Sequence, residues 1–193
     1  MRKVRQLFLL VCMLFVSVTL YAPVISNIDM EEMLMSHMIA QSRLRVQEQK
    51  DEGLRLYLEA IGHSESRNNP EAYNRYGYIG KYQFGYAARK SCGYSEVKFR
   101  DFIKNPTVWS EKDQEAAMIT LLSKNESHLK DVIRKYNGKE IKGVTVTKSG
   151  ILAAAHIAGA GGVKRYFRTG SNPRDAYGTG LEDYLLKFSG FNI

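Results

Sequence analysis

Between residues 54 and 65 the chain places Leu54, Tyr57, Leu58, Ile61 and Glu65 at i, i+3, i+4, i+7 and i+11, the spacing of one face of an α-helix. This stripe constrains the fold more than any other feature. It demands a partner surface for four apolar side chains, and it ends in a carboxylate. Glu65 continues the buried face at the C-terminal end of its helix. There it loses solvent and meets the negative end of the helix dipole, and both effects favour the protonated acid. A proton donor working at neutral pH needs such surroundings. Taken alone, a glutamate that snorkels at a helix end is the simpler reading.

The same periodicity recurs along the chain. It predicts a helix over about 95–103 and another from Ser110, where Asp113 completes a capping-box pattern and Ala117, Met118, Leu121 and Leu122 form the stripe. A further helix carries Leu129, Val132, Ile133 and Tyr136. Ser149 is expected to cap a very apolar helix over Ile151 to Ala158, ended by Gly159-Ala160-Gly161-Gly162. The last helix opens on a Thr179-x-x-Glu182 capping box and aligns Leu181, Tyr184, Leu185 and Phe188. Two segments depart from this rhythm. Residues 76–84 alternate aromatics with glycine and polar residues, as a short irregular hairpin or loop would, and residues 138–147 alternate like a small hairpin. The expected fold class is α+β, predominantly α-helical, with a minor β-hairpin and no internal repeat.

At the N-terminus, Arg2, Lys3 and Arg5 precede an apolar stretch from Leu7 to Ile25, which reads as an export signal or a single membrane anchor over residues 1–26. Cleavage after Ser26 fits better than after Ala22, and the run is also long enough to remain as an anchor. The rest of the chain is therefore expected in the periplasm or cell envelope, either free or held at the inner membrane. Residues 27–50, with Met30, Met33, Leu34, Met38 and Leu44 at helical spacing, read as a helical linker, and residues 51–193 as one domain.

Lys and Arg outnumber Asp and Glu by 28 to 20. Three of the basic residues and no acids lie in 1–26, which leaves 25 against 20, or +5, for the remainder. A mild basic bias on an exported chain fits an anionic envelope polymer better than nucleic acid. Cys12 falls in the leader, so Cys92 has no partner for a disulfide. The four histidines show no ligand spacing, and neither a metal site nor a cofactor is expected. Gly159-Ala160-Gly161 lacks the later glycine of a dinucleotide fingerprint, since Lys164 stands there. A Cys92–His156 peptidase pair has no supporting local pattern.

The run Glu65-Ser66-x-x-Asn69-Pro70-x-Ala72-x-Asn74-x-x-Gly77-x-x-Gly80-x-x-Gln83 resembles the first two motifs of the soluble lytic transglycosylase family, within the lysozyme-like superfamily. Its spacing matches without a gap, with Asn74 in place of a serine. Further on, Ala154-Ala155-His156-Ile157-Ala158-Gly159-Ala160-Gly161-Gly162-Val163 is similar to the family's Ala-Ala-Tyr-Asn-Ala-Gly-Pro-Gly-x-Val motif. Here His156 replaces Tyr, Ile157 replaces a sugar-contacting Asn, and Ala160 replaces Pro. Asp183-Tyr184-Leu185 falls where the family has Asn-Tyr-Val, whose tyrosine orients the catalytic glutamate.

The resemblance implies a lysozyme-like domain over 51–193 that acts on peptidoglycan glycan strands, as a lyase without cofactors. It implies Glu65 as the catalytic acid, and Ser66, Tyr78, Tyr82, Gln83, His156 and Tyr184 as the residues around the substrate. Ser66 and Tyr184 are expected to hold the acid, and Gln83 to reach a sugar acetamide or hydroxyl. At least half of the aromatics Tyr76, Tyr78, Tyr82 and Phe84 are expected in the core. A hydrolase needs a second carboxylate, whereas a lytic transglycosylase does not. No Asp or Glu occurs between Glu71 and Glu96, although Glu71, Asp101 or Asp113 could fold toward Glu65. A lysozyme-type hydrolase and a non-catalytic peptidoglycan-binding or envelope-assembly protein are the alternatives, the second suggested by Ile157.

Overall fold

A computed structural model describes residues 27–141, 143–172, 174 and 178–193. The expected signal or anchor over 1–26, Cys12 included, lies outside them. The chain divides into two units, Met1–Val46 and Gln47–Ile193. In the first unit the described residues are helical, and Met30, Met33, Leu34, Met38 and Leu44 are all exposed. Among the described residues no helix is long and apolar enough to cross a membrane.

Helix α1 spans Asn27–Ser66. In its residues 47–66, Tyr57 and Ile61 are fully buried and Leu54 and Leu58 half-buried, as the stripe requires. The Tyr57 ring meets Phe188 and Phe191 edge-on, and its hydroxyl donates to the Ser149 carbonyl at 2.9 Å. Burying such a ring contributes about 2 kcal/mol, and the bond removes the penalty of a dry hydroxyl. Tyr57 therefore fastens α1 to the segment around Ser149.

Two short helices follow, α2 (Tyr86–Ser91) and α3 (Phe99–Lys104). The first was not expected. The second starts later than the predicted 95–103, because its N-cap Lys98 is still extended. Helix α4 (Glu111–Tyr136) is continuous where the sequence suggested two helices. Its cap is as predicted: Ser110 accepts from the Asp113 N–H at 3.2 Å and donates to the Asp113 carboxylate at 2.6 Å. Asn125 lies on its buried stripe between Leu122 and Leu129.

The predicted hairpin is present as β1 (Glu140–Ile141) and β2 (Val144–Thr145), antiparallel, pairing Glu140 with Thr145 and Ile141 with Val144. Helix α5 (Lys148–Thr169) is capped by Thr147 rather than Ser149, with Thr147 Oγ1 accepting from the Gly150 N–H at 3.1 Å. Its first stretch ends at Ala158, as expected. Gly159 leaves helical geometry at φ 66° and ψ 164°, and the helix resumes beyond it. Positive φ favours glycine, so Gly159 ends the first stretch, and what the sequence did not announce is the second helical stretch that follows across the kink.

Helix α6 (Leu181–Lys187) starts one residue later than its predicted box. Gly180 is the N-cap, and its N–H donates to the Asp183 carboxylate at 2.7 Å. Glu182 instead accepts from the Tyr166 hydroxyl and the Asn172 amide. Leu181, Tyr184, Leu185 and Phe188 are buried as expected, and α5 packs against both α4 and α6. The fold is predominantly helical with little strand.

Candidate active site

Glu65 lies in the last turn of α1. Arg67 and Asn68 take positive φ, 60° and 59°, and turn the chain away from the helix. The Glu65 side chain is 14% exposed. The Tyr184 hydroxyl donates to its Oε1. Tyr184 comes from the buried face of α6, so tertiary packing brings the phenol to the carboxylate across 119 positions of sequence. His156 Nε2 lies 3.9 Å from the same oxygen. Its N–H donates to the Tyr82 carbonyl at 2.9 Å, and its ring stands edge-on to Phe84. His156 Nδ1 is buried without a partner.

The loop 70–84 is held from three sides. Asn74 Oδ1 accepts from the N–H groups of Tyr76 and Tyr78, and its Nδ2 donates to Gln83 Oε1 at 3.0 Å. Gln83, itself at φ 48°, donates from Nε2 to the Gly80 carbonyl at 2.9 Å. Its amide is thereby aimed by two bonds. Isolated bridges pair Ile79 with Tyr73 and with Phe84, the short irregular hairpin expected there. Beneath the loop, buried Gln114 of α4 accepts from the Lys81 N–H at 2.6 Å and donates to the carbonyls of Pro70 and Trp109, both at 2.9 Å. A Cβ at Gly80 would sit 2.4 Å from that Gln114 oxygen, so only glycine lets the loop come so close. Lys81 Nζ binds Glu111 and Glu115 of the same helix at 2.9 and 2.8 Å. Desolvation opposes its charge, but the two carboxylates outweigh this and leave the Lys81 pKa raised.

These elements enclose a cleft of about 810 Å³. Five of the seven predicted residues line it: Glu65, Tyr78, Gln83, His156 and Tyr184. The other two do not. Ser66 Oγ donates to the Lys81 carbonyl at 2.7 Å and accepts from the Asn69 N–H at 3.0 Å. It anchors the loop rather than Glu65 or a sugar, because its side chain points back along the turn. Tyr82 is fully buried, so it offers no ring face to a ligand; only its carbonyl serves the site, through His156. Phe84 is likewise core, while Tyr76 and Tyr78 are exposed.

None of Glu71, Asp101 and Asp113 lines the cleft; Asp183 does. Its Oδ2 caps α6 and lies 4.0 Å from Arg174. Asn74, Ile157 and Lys187 also line the cleft and were not singled out as site residues. Asp183 adjoins Tyr184 in the sequence, and Lys187 lies one helical turn beyond both, the spacing that could have placed it at their side. Lys187 Nζ donates to Ser64 Oγ at 2.6 Å across the rim. Cys92 does not line the cleft, and burial pushes its thiol pKa up. A cysteine nucleophile needs the opposite shift. Among the described residues no group of three His, Cys, Asp or Glu is placed to hold a metal ion. No family model, curated protein or solved structure matches the chain.

Proposed function

We propose that the chain is a peptidoglycan lytic transglycosylase on a lysozyme-like fold, with Glu65 as its acid and base. The observation that carries this reading is the buried Tyr184 hydroxyl bound to Glu65 inside a cleft of the size that takes small-molecule ligands. With Oε1 accepting from Tyr184, Oε2 is left to carry a proton. Protonated Glu65 delivers it to the glycosidic oxygen between N-acetylmuramic acid and N-acetylglucosamine, and the C1–O bond breaks with its electrons passing to that oxygen. The substrate's own N-acetyl carbonyl supports the cationic carbon. Ionised Glu65 then removes the proton of the 6-hydroxyl, whose oxygen closes on C1 to give a 1,6-anhydro ring. No water is consumed. Gln83, aimed by Asn74, supplies an amide for a sugar acetamide or hydroxyl. Ile157 presents an apolar wall where the resembled family has asparagine, so the polar sugar contacts fall to Gln83 and Asn74.

Asp183 favours a second reading, a lysozyme-type hydrolase that uses it as the second carboxylate. Its commitment to capping α6 and its nearness to Arg174 weigh against that role. Digestion of purified sacculi followed by mass spectrometry of the muropeptides separates the two. Anhydro-ended products, one water lighter, are expected; reducing-end products would overturn the transglycosylase. Glu65→Gln is expected to abolish release while sacculus binding persists. Wild-type protein that binds sacculi and releases nothing would make the chain a binding protein instead.

A further inference from the structure

Beside the cleft lies a second cavity of about 500 Å³. Its walls include Tyr76, Tyr78, Tyr86 and Phe99, together with the cations Arg89 and Lys98, and no carboxylate lines it. Tyr78 lines both cavities, so the two share a wall. Arg89 is 1% exposed. Its guanidinium donates to the carbonyls of Phe84 and Val97, at 2.5 and 3.2 Å. Among the described residues it forms no ion pair. Buried charges ordinarily have a counter-charge; here burial holds the Arg89 pKa below its usual range, opposed only by Tyr86. Lys98 Nζ donates to the Ser95 carbonyl at 2.5 Å and stands 5.1 Å above the exposed Tyr86 ring, and among the described residues its remaining protons meet no acid.

We propose that this cavity binds the acidic peptide stem that peptidoglycan carries on its muramic acid, its carboxylates facing Lys98 and Arg89 and its backbone lying on Tyr78 and Tyr86. The inference rests on the peptidoglycan reading of the neighbouring cleft. A neutral sugar can only accept hydrogen bonds from the two cations, whereas a carboxylate adds the attraction of opposite charge in a pocket empty of acids. The shared wall at Tyr78 suits a substituent branching from a strand already seated in the cleft. The site thereby selects peptide-bearing strands over bare glycan.

The test is calorimetric titration of the full chain with N-acetyl-L-alanyl-γ-D-glutamate, against the same peptide with both carboxylates amidated. The acid is expected to bind at least about tenfold tighter than the amide. Lys98→Glu is expected to remove most of that preference, and Glu65→Gln to leave it intact. Lys98 is exposed, so its variant should unfold at the wild-type midpoint; Tyr86→Leu, also at an exposed site, should weaken both peptides together. Equal affinity for acid and amide, no binding of either, or an indifferent Lys98→Glu would overturn the proposal. Peptide binding without any glycan cleavage would uphold the cavity and sink only the transglycosylase; cleavage without peptide binding would do the reverse.

Discussion

Replacing Gln114 by methionine is expected to cost more stability than the removal of one polar side chain ordinarily does. The side chain is 1% exposed and joins three backbone groups from two stretches of chain: Lys81 N–H, Pro70 C=O and Trp109 C=O. Methionine keeps the volume and loses all three bonds. The bonds to Lys81 and Trp109 are buried, so those groups find no water, at about 1–3 kcal/mol each; the Pro70 carbonyl is partly exposed and loses less. The total is about 3–5 kcal/mol, a large share of a typical domain's stability. In urea, followed by circular dichroism, the midpoint should fall by about 2 M at unchanged slope. Gln114→Glu sharpens the test. It keeps the acceptor for Lys81 but turns a carboxylate toward two carbonyls, so folding raises the pKa of the new acid. Its stability should be poor at neutral pH and recover as the pH falls and the acid protonates. A loss below about 1 kcal/mol for Gln114→Met, or a pH-independent Gln114→Glu, would refute the view that Gln114 holds the loop.

Tyr184→Phe removes the donor to Glu65 while leaving the ring in the core; kcat should fall about tenfold or more with KM little changed, and an unaltered kcat would show that the acid is oriented by something else. Ser66→Ala should cost about 1–2 kcal/mol in denaturation, through the freed Lys81 carbonyl, with only a modest loss of turnover; a collapse of kcat at unchanged stability would return Ser66 to the active site. Lys81→Met should destabilise across neutral pH, because a raised lysine pKa contributes stability that is complete below the ordinary lysine range and lost only as the pH climbs past the raised value. An unfolding midpoint for Lys81→Met equal to wild type at pH 7 would count the bridge to Glu111 and Glu115 as surface decoration.

The local elements were legible because helices and caps depend on neighbours in sequence. The 54–65 stripe, the Ser110–Asp113 cap, the hairpin near 138–147 and the buried face of α6 all follow from spacing alone. Spacing does not show a polar residue that is satisfied from afar. Gln114 sits on the buried stripe of α4, and only its bonds to residues 70–81 and to Trp109 explain its place there. The stop at Gly159 was legible, whereas the helical stretch that resumes beyond it was not.

The site divides along the same line. Sequence by itself determined that one carboxylate ends an apolar helix and that a Gly, Tyr and Gln loop follows it. Only the tertiary structure decided what meets that carboxylate. It brought Tyr184 to Glu65 and Asp183 to the cleft, turned Ser66 toward the loop, and sank Tyr82 into the core. The physical reason is that periodicity fixes which face of an element is apolar, while the partner of a polar group is chosen by the packing of faces distant in the chain.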